Sequence, residues 1–349
     1  MRTAVPDAPR SDSLTPGDAD AEFLRIIAAL TRRGFLSGGL GAAAVLGLAA
    51  CGNATPSAVT SQGSRRVRTS SGEVEVPEHP ERVIAGTAWA VNTLLDLGIT
   101  PVGSFRGARN VVLPGFREKM GPVADISGSD GNGDDLEKVA ALKPDLIITF
   151  ATSESLAGAR QIAPVIGQDS VHEGWEELCA QVADAVNKAQ ELTALKVRFE
   201  ARLESLRKEY ADVFSTVKWY VVQAGDTANP ATLYAPANTE AGVIIKRLGG
   251  SFGSAEEGTH YGDGNTVGEP LSGELLPKLA DGDAIIVWDN GDAPSPDARS
   301  LYAQKFWKEL PAVKNGAVFR TSMPGSYGSA SGFLDLLEEA CRKLRPTGK

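Results

Sequence analysis

Leu136-Glu137-Lys138-Val139-Ala140-Ala141-Leu142-Lys143-Pro144-Asp145-Leu146-Ile147-Ile148-Thr149 runs from an acid-opened helical turn, through a polar break, into a short block of large apolar residues. That block is bounded by proline and reads as a strand buried on both faces. Gly273-Glu274-Leu275-Leu276-Pro277-Lys278-Leu279-Ala280-Asp281-Gly282-Asp283-Ala284-Ile285-Ile286 repeats the plan. In each copy a glutamate in the first turn is followed five residues later by leucine, then a polar turn, then a buried strand. Each copy is one αβ unit, and Glu137 and Glu274 hold equivalent places. The helix macrodipole favours an acid in a first turn by about 0.3–1 kcal/mol. That explains either glutamate alone, but not their matching positions in two halves of the chain.

Working outward, strands are expected over 82–85, 101–104 and 145–150, with a helical pattern over 92–97 that stops at Gly98. Helical patterns over 175–187 and 189–213 follow with no strand between them. The second is long and carries Leu192, Leu195, Phe199, Leu203, Leu206 and Tyr210 at helical spacing. Strands then resume over 218–223, 284–288 and 317–320, with helices near 239–248, 272–279, 298–308 and 331–344. Strand-rich, then helical, then strand-rich again predicts an α/β protein of two Rossmann-like lobes, 73–187 and 214–345, joined by one long rigid helix over 188–213.

The N-terminal stretch speaks of location. Thr31-Arg32-Arg33-Gly34-Phe35-Leu36-Ser37, a weakly apolar run, and then Leu48-Ala49-Ala50-Cys51 resemble a twin-arginine export signal joined to a lipobox. Residues 1–50 would be removed, leaving Cys51 lipidated as the membrane anchor. A membrane-spanning helix is the poorer reading, because residues 34–50 hold five glycines and barely reach across about 30 Å of hydrocarbon. Residues 51–72, rich in Ser, Thr, Gly and Ala, read as a flexible tether with a reach of about 25 Å.

The chain has 35 basic and 44 acidic residues, a formal charge of −9. Residues 1–50 carry five of each sign, so their removal leaves that charge unchanged. Such a balance gives no basic footprint for nucleic acid. Beyond Cys51 only Cys179 and Cys341 remain, too few for a disulfide scaffold. They are either one bridge or two separate thiols.

Two motifs suggest other chemistry and fail on their context. Asp130-Gly131-Asn132-Gly133-Asp134 opens like a calcium loop, but Asp135 stands where glycine is needed and Ala141 where the closing glutamate is needed. Gly249-Gly250-Ser251-Phe252-Gly253 matches a nucleophile elbow, yet it follows a helix and reads as a glycine cap entering a turn. Only His79, His172 and His260 are present. They are too few and too scattered for a hydrolase triad or a bare-ion site, so no catalytic residue, resident metal or cofactor is expected.

Pro80-Glu81-Arg82-Val83-Ile84, residues 94–103 (LLDLGITPVG), residues 136–149, Leu271-Ser272-Gly273-Glu274 and residues 307–314 (WKELPAVK), taken in this order, resemble the periplasmic-binding-protein family that serves ABC importers of ferric siderophores, haem and cobalamin. The resemblance covers about 75–345. It implies two α/β lobes bridged by a rigid helix, a ligand cleft between them, no enzyme activity, and a monomer that docks on a permease dimer. It further implies that Glu137 and Glu274 pair with permease arginines.

Ligands of open α/β sheets bind beyond the carboxyl ends of the strands, which nominates Thr87, Trp89, Asn92, Arg106, Arg109, Tyr234, Trp288, Asn290 and Tyr327. His260-Tyr261 in a Gly-rich loop is a weaker candidate. Trp219 and Trp307 are assigned to packing. Aromatic faces and guanidinium groups suit a flat, commonly anionic chelate. A ferric siderophore is therefore the expected ligand. Haem and cobalamin, or a non-transport adaptor or sensor role on this fold, are the alternatives.

Overall fold

Alternation of Arg65, Val67 and Thr69 with outward polar residues makes Ser64–Thr69 a strand (β1), paired antiparallel with Gly72–Pro77 (β2). The structured part thus begins inside the segment expected to be tether. Val67 and Val76 are fully buried, and Arg65 pairs with Asp184 at 3.0 Å, so the hairpin is docked and not free. A computed structural model of the chain describes residues 63–345 apart from 70–71, 113, 119, 129–133, 154–155, 171–172, 238 and 257–267. These all lie within one compact unit, Thr60–Lys349. Cys51, Arg32, Arg33, His172, His260, Tyr261 and the start of the calcium-like loop lie outside the described residues.

The first lobe is a five-stranded parallel sheet of β3 (Val83–Ala85), β4 (Gly103–Ser104), β5 (Ala124–Asp125), β6 (Leu146–Phe150) and β7 (Val165–Gln168), in the order β5-β4-β3-β6-β7. Its helices are α1 (Ala88–Asp96), α2 (Pro114–Arg117), α3 (Leu136–Ala141), α4 (Leu156–Ala159) and α5 (Trp175–Ala185). A 21-residue helix, α6 (Ala189–Glu209), leaves this lobe, and after a break at Tyr210 the short α7 (Ala211–Thr216) enters the next.

The second sheet comprises β8 (Lys218–Ala224), β9 (Ala231–Leu233), β10 (Ser251–Phe252), β11 (Glu269–Leu271), β12 (Ala284–Trp288) and β13 (Val318–Thr321). Its order is β11-β9-β8-β12-β13, with β10 alongside the start of β8 and β9 antiparallel to both neighbours. Here lie α8 (Glu240–Arg247), α9 (Pro296–Ala303), α10 (Lys305–Glu309), α11 (Pro311–Lys314) and α12 (Tyr327–Leu344). Among the described residues no helix is long and apolar enough to cross a membrane.

The sequence repeat is a repeat in space. β6 and β12 each lie between the first strand of their sheet and an outer strand, pairing Ile147 with Ile84 and Val165, and Ile286 with Val221 and Phe319. Both strands are preceded by an aspartate that ties them to the strand before. Asp145 accepts from the amides of Glu81 and Arg82 at 2.8 and 2.9 Å, and Asp283 from that of Lys218 at 2.9 Å. The second copy differs in one respect: Gly273–Leu279 winds as a 3-10 helix, because Pro277 has no N–H for an α-helical bond. The long 298–308 helix likewise appears as α9 and α10, broken at Gln304.

Trp219 and Trp307 are buried in the core as expected. Cys179 and Cys341 are free, buried thiols. Gly249 takes φ +88° and closes α8, while the Gly250 amide donates back to Ile245 at 2.9 Å. This is the glycine cap read from the sequence.

Candidate ligand cleft between the two sheets

Two aromatic pairs stand at corresponding places. Phe150 ends β6 with 37% of its surface exposed, and its ring meets that of the half-buried Trp89 edge-on at 6.1 Å. Trp288 ends β12 and lies against Tyr234 at 5.8 Å. Tyr234 in turn donates from its hydroxyl to Gln223. Strand-terminal placement is why Phe150 and Trp288 are partly open: the sheet fixes the backbone, while the layer of helices no longer covers the side chain; Tyr234, packed under Trp288, is buried at 5% exposure.

The two pairs are linked across the lobes. Trp89 donates from Nε1 to Glu240 Oε1 at 2.8 Å, joining the start of α1 to the start of α8. Trp288 Nε1 donates to Asn290 Oδ1 at 3.1 Å, and the same oxygen receives the Met323 amide at 3.4 Å. Gly325 then closes the circuit. A Cβ there would come within 3.0 Å of Met323 and 3.5 Å of Trp89. Below this ring Cys179 donates from Sγ to the Gly325 carbonyl, and burial pushes its thiol pKa well up. Burial also raises the pKa of Glu240, only partly offset by its own amide and the Trp89 indole. Asp134, which accepts from Thr149 at 3.1 Å beside β6, is raised for the same reason.

The remaining candidates sit elsewhere or are occupied. Asn92 is buried in α1, donating to the carbonyls of Ala88 and Val111. Thr87 is buried too; it caps α1 by accepting from the Ala90 amide and donates to Gln168. Exposed Arg106 pairs with Asp125 at 3.1 Å. Arg109 donates to the Gly121 and Arg117 carbonyls at 2.8 and 2.9 Å, so it holds its own loop together. Tyr327 is 2% exposed and lies between Trp175 and Phe199 at 5.0 and 5.7 Å, with its hydroxyl donating to Glu176 at 3.1 Å. Glu176 also meets Lys196 and Arg247, and Arg247 meets Glu200. Tyr327 thus belongs to a junction of α5, α6, α8 and α12, behind the aromatic ring system. Among the described residues no three His, Cys, Asp or Glu side chains converge as a metal site would require.

Glu137 and Glu274 are exposed, and neither carboxylate has a partner among the described residues. Asp135, not Glu137, caps α3, accepting from the amides of Glu137 and Lys138. Both glutamates open an element whose far end leads into a parallel strand. They therefore lie toward the carboxyl ends of the sheets, on the cleft side of their lobes.

Residues 86–323 match the family model described as periplasmic binding protein. The chain belongs to that family. A putative ABC transporter substrate-binding lipoprotein of Bacillus subtilis (strain 168), YhfQ, is 26% identical over 83% of this chain and 93% of its own length. The iron(3+)-hydroxamate-binding protein FhuD of the same organism is 27% identical over 86% and 95%. Among solved structures, the siderophore periplasmic binding protein from the fuscachelin gene cluster of Thermobifida fusca superposes with a TM-score of 0.64 at 25% identity, covering 77% of this chain and 99% of that one.

Proposed function

We propose that this chain captures a ferric siderophore in the cleft ringed by Trp89, Phe150, Tyr234 and Trp288 and delivers it to an ABC permease dimer without covalent chemistry. The observation that carries the reading is the paired aromatic rims at the ends of β6 and β12, joined across the lobes through Trp89 and Glu240. A family whose relatives are named for siderophore and iron(3+)-hydroxamate binding supports it. Titrating intrinsic tryptophan fluorescence with ferric hydroxamates, ferric catecholates, ferric citrate, haemin and cobalamin tests it. Saturable quenching by at least one ferric siderophore, with Trp89 and Trp288 as the reporters, is expected. Response to haemin or cobalamin alone would replace the ligand, and response to none would favour an adaptor role.

The lipobox and paired arginines support export by the twin-arginine route and anchoring at Cys51. Cys51→Ala should move the protein from the membrane fraction to the soluble one. Arg32→Lys with Arg33→Lys should hold the precursor in the cytoplasm. Unchanged fractionation of either variant would refute the corresponding half of the signal.

A further inference from the structure

Charge around the cleft is lopsided in a way that bears on the ligand. The lobe-two segments that turn over at the cleft, 224–230, 234–240, 289–295 and 322–327, contain no lysine or arginine but carry Asp226, Glu240, Asp289 and Asp292. Arg320, at the end of β13, is spent on the protein: it donates to the carbonyls of Gly291, Asp292 and Ala293 and pairs with Asp289. In lobe one Arg106 and Arg109 are held as described above. Arg117 donates to the Val112 carbonyl and pairs with Asp292 at 2.5 Å, and Lys138 is held by the Ser127 carbonyl and Asp135.

Among the described residues, Glu240 in lobe two and Asp134 in lobe one are partly buried carboxylates near the strand ends with no cation beside them. Glu240 stands against an indole, and beyond its own amide and that indole it has acceptor capacity to spare. A carboxylate held against a half-open indole suits a cation, through ion pairing and attraction to the ring face.

We infer that the cleft selects a ferric chelate without net negative charge, and that Glu240, oriented by Trp89, receives an ammonium group of that ligand. This rests on the siderophore reading above and names the charge class that reading leaves open. Three hydroxamates neutralise a ferric ion, so a trihydroxamate with a pendant amine is cationic. Three catecholates leave a trianion, which would meet Glu240 and Asp134 with no unpaired cation beside them among the described residues.

The test uses ferric desferrioxamine B, which keeps a primary ammonium, its neutral N-acetyl derivative, and a ferric tris-catecholate, all titrated on the full-length protein. The cationic chelate should bind roughly tenfold tighter than the acetylated one, and the trianion at least about tenfold weaker than either. The preference should shrink as ionic strength rises. Glu240→Gln keeps an acceptor for the Trp89 indole and should bring the two hydroxamates within about twofold of each other. Equal binding of the two by the unmodified protein, an undiminished preference in Glu240→Gln, or tight binding of the trianion would overturn the charge assignment while leaving siderophore capture intact. Binding of none of the three, with no response to ferric citrate either, would overturn both.

Discussion

Changing Glu137 and Glu274 together to alanine is expected to abolish most ligand uptake while leaving ligand affinity and thermal stability close to those of the unmodified protein. Both carboxylates are exposed and unpartnered among the described residues, so their removal should alter stability by no more than about 0.5 kcal/mol. The capping role that would otherwise explain Glu137 is filled by Asp135. What remains is position: each glutamate opens the element leading into the equivalent strand of its sheet, β6 or β12. Two like groups at matched sites of two lobes suit docking onto a two-fold partner. Reconstitution with the cognate permease, scoring uptake and ligand-stimulated ATP hydrolysis beside a melting curve, checks this. Full uptake by the double variant would end the docking role, and a large drop in melting temperature would return both residues to the scaffold.

The second large effect separates ligand contact from packing. Trp89→Ala removes a half-open ring that touches Phe150 and Glu240, and should weaken chelate binding by on the order of 2–4 kcal/mol with a much smaller change in stability. Tyr327→Ala should do the reverse. Its ring is enclosed by Trp175 and Phe199, and emptying such a site costs about 3–5 kcal/mol of folding free energy. Tyr327→Phe keeps the packing, so that variant should bind normally at temperatures where it is folded. Thermal melts and fluorescence titrations of the three proteins decide the matter. Normal affinity in Trp89→Ala together with lost affinity in a well-folded Tyr327→Phe would exchange the two assignments.

The αβ repeat was readable because strands buried on both faces must be unbroken apolar runs, as 146–148 and 284–287 are. The same logic hid Phe150. At the end of such a run a half-exposed ring looks like one more core residue, and only the rule that sites lie past strand ends could have raised it. Glu240 was hidden by its place just after Thr239, where an acid reads as dipole compensation. Arg106 and Arg109 show a different limit. A guanidinium in a loop advertises anion binding, and the sequence gives no sign of the intramolecular partners these two have, Asp125 and two backbone carbonyls, whose positions depend on how residues 105–125 fold. The hairpin at 64–77 was masked by serine and arginine, although the alternation of Arg65, Val67 and Thr69 carried the signal.

The C-terminal helix has a consequence for the order of assembly. α12 lies against α1 and α6, its Gly328 amide donates to Asp96 of the first lobe at 2.7 Å, and Tyr327 fills the space beside Trp175. A helix made after the whole second sheet therefore covers surface that belongs to the first lobe. Domains often fold in the order they are made, but this first lobe lacks part of its native cover until α12 has been made. Completion of the first lobe therefore waits on the second, because the helix that closes over it comes after the second sheet in the chain.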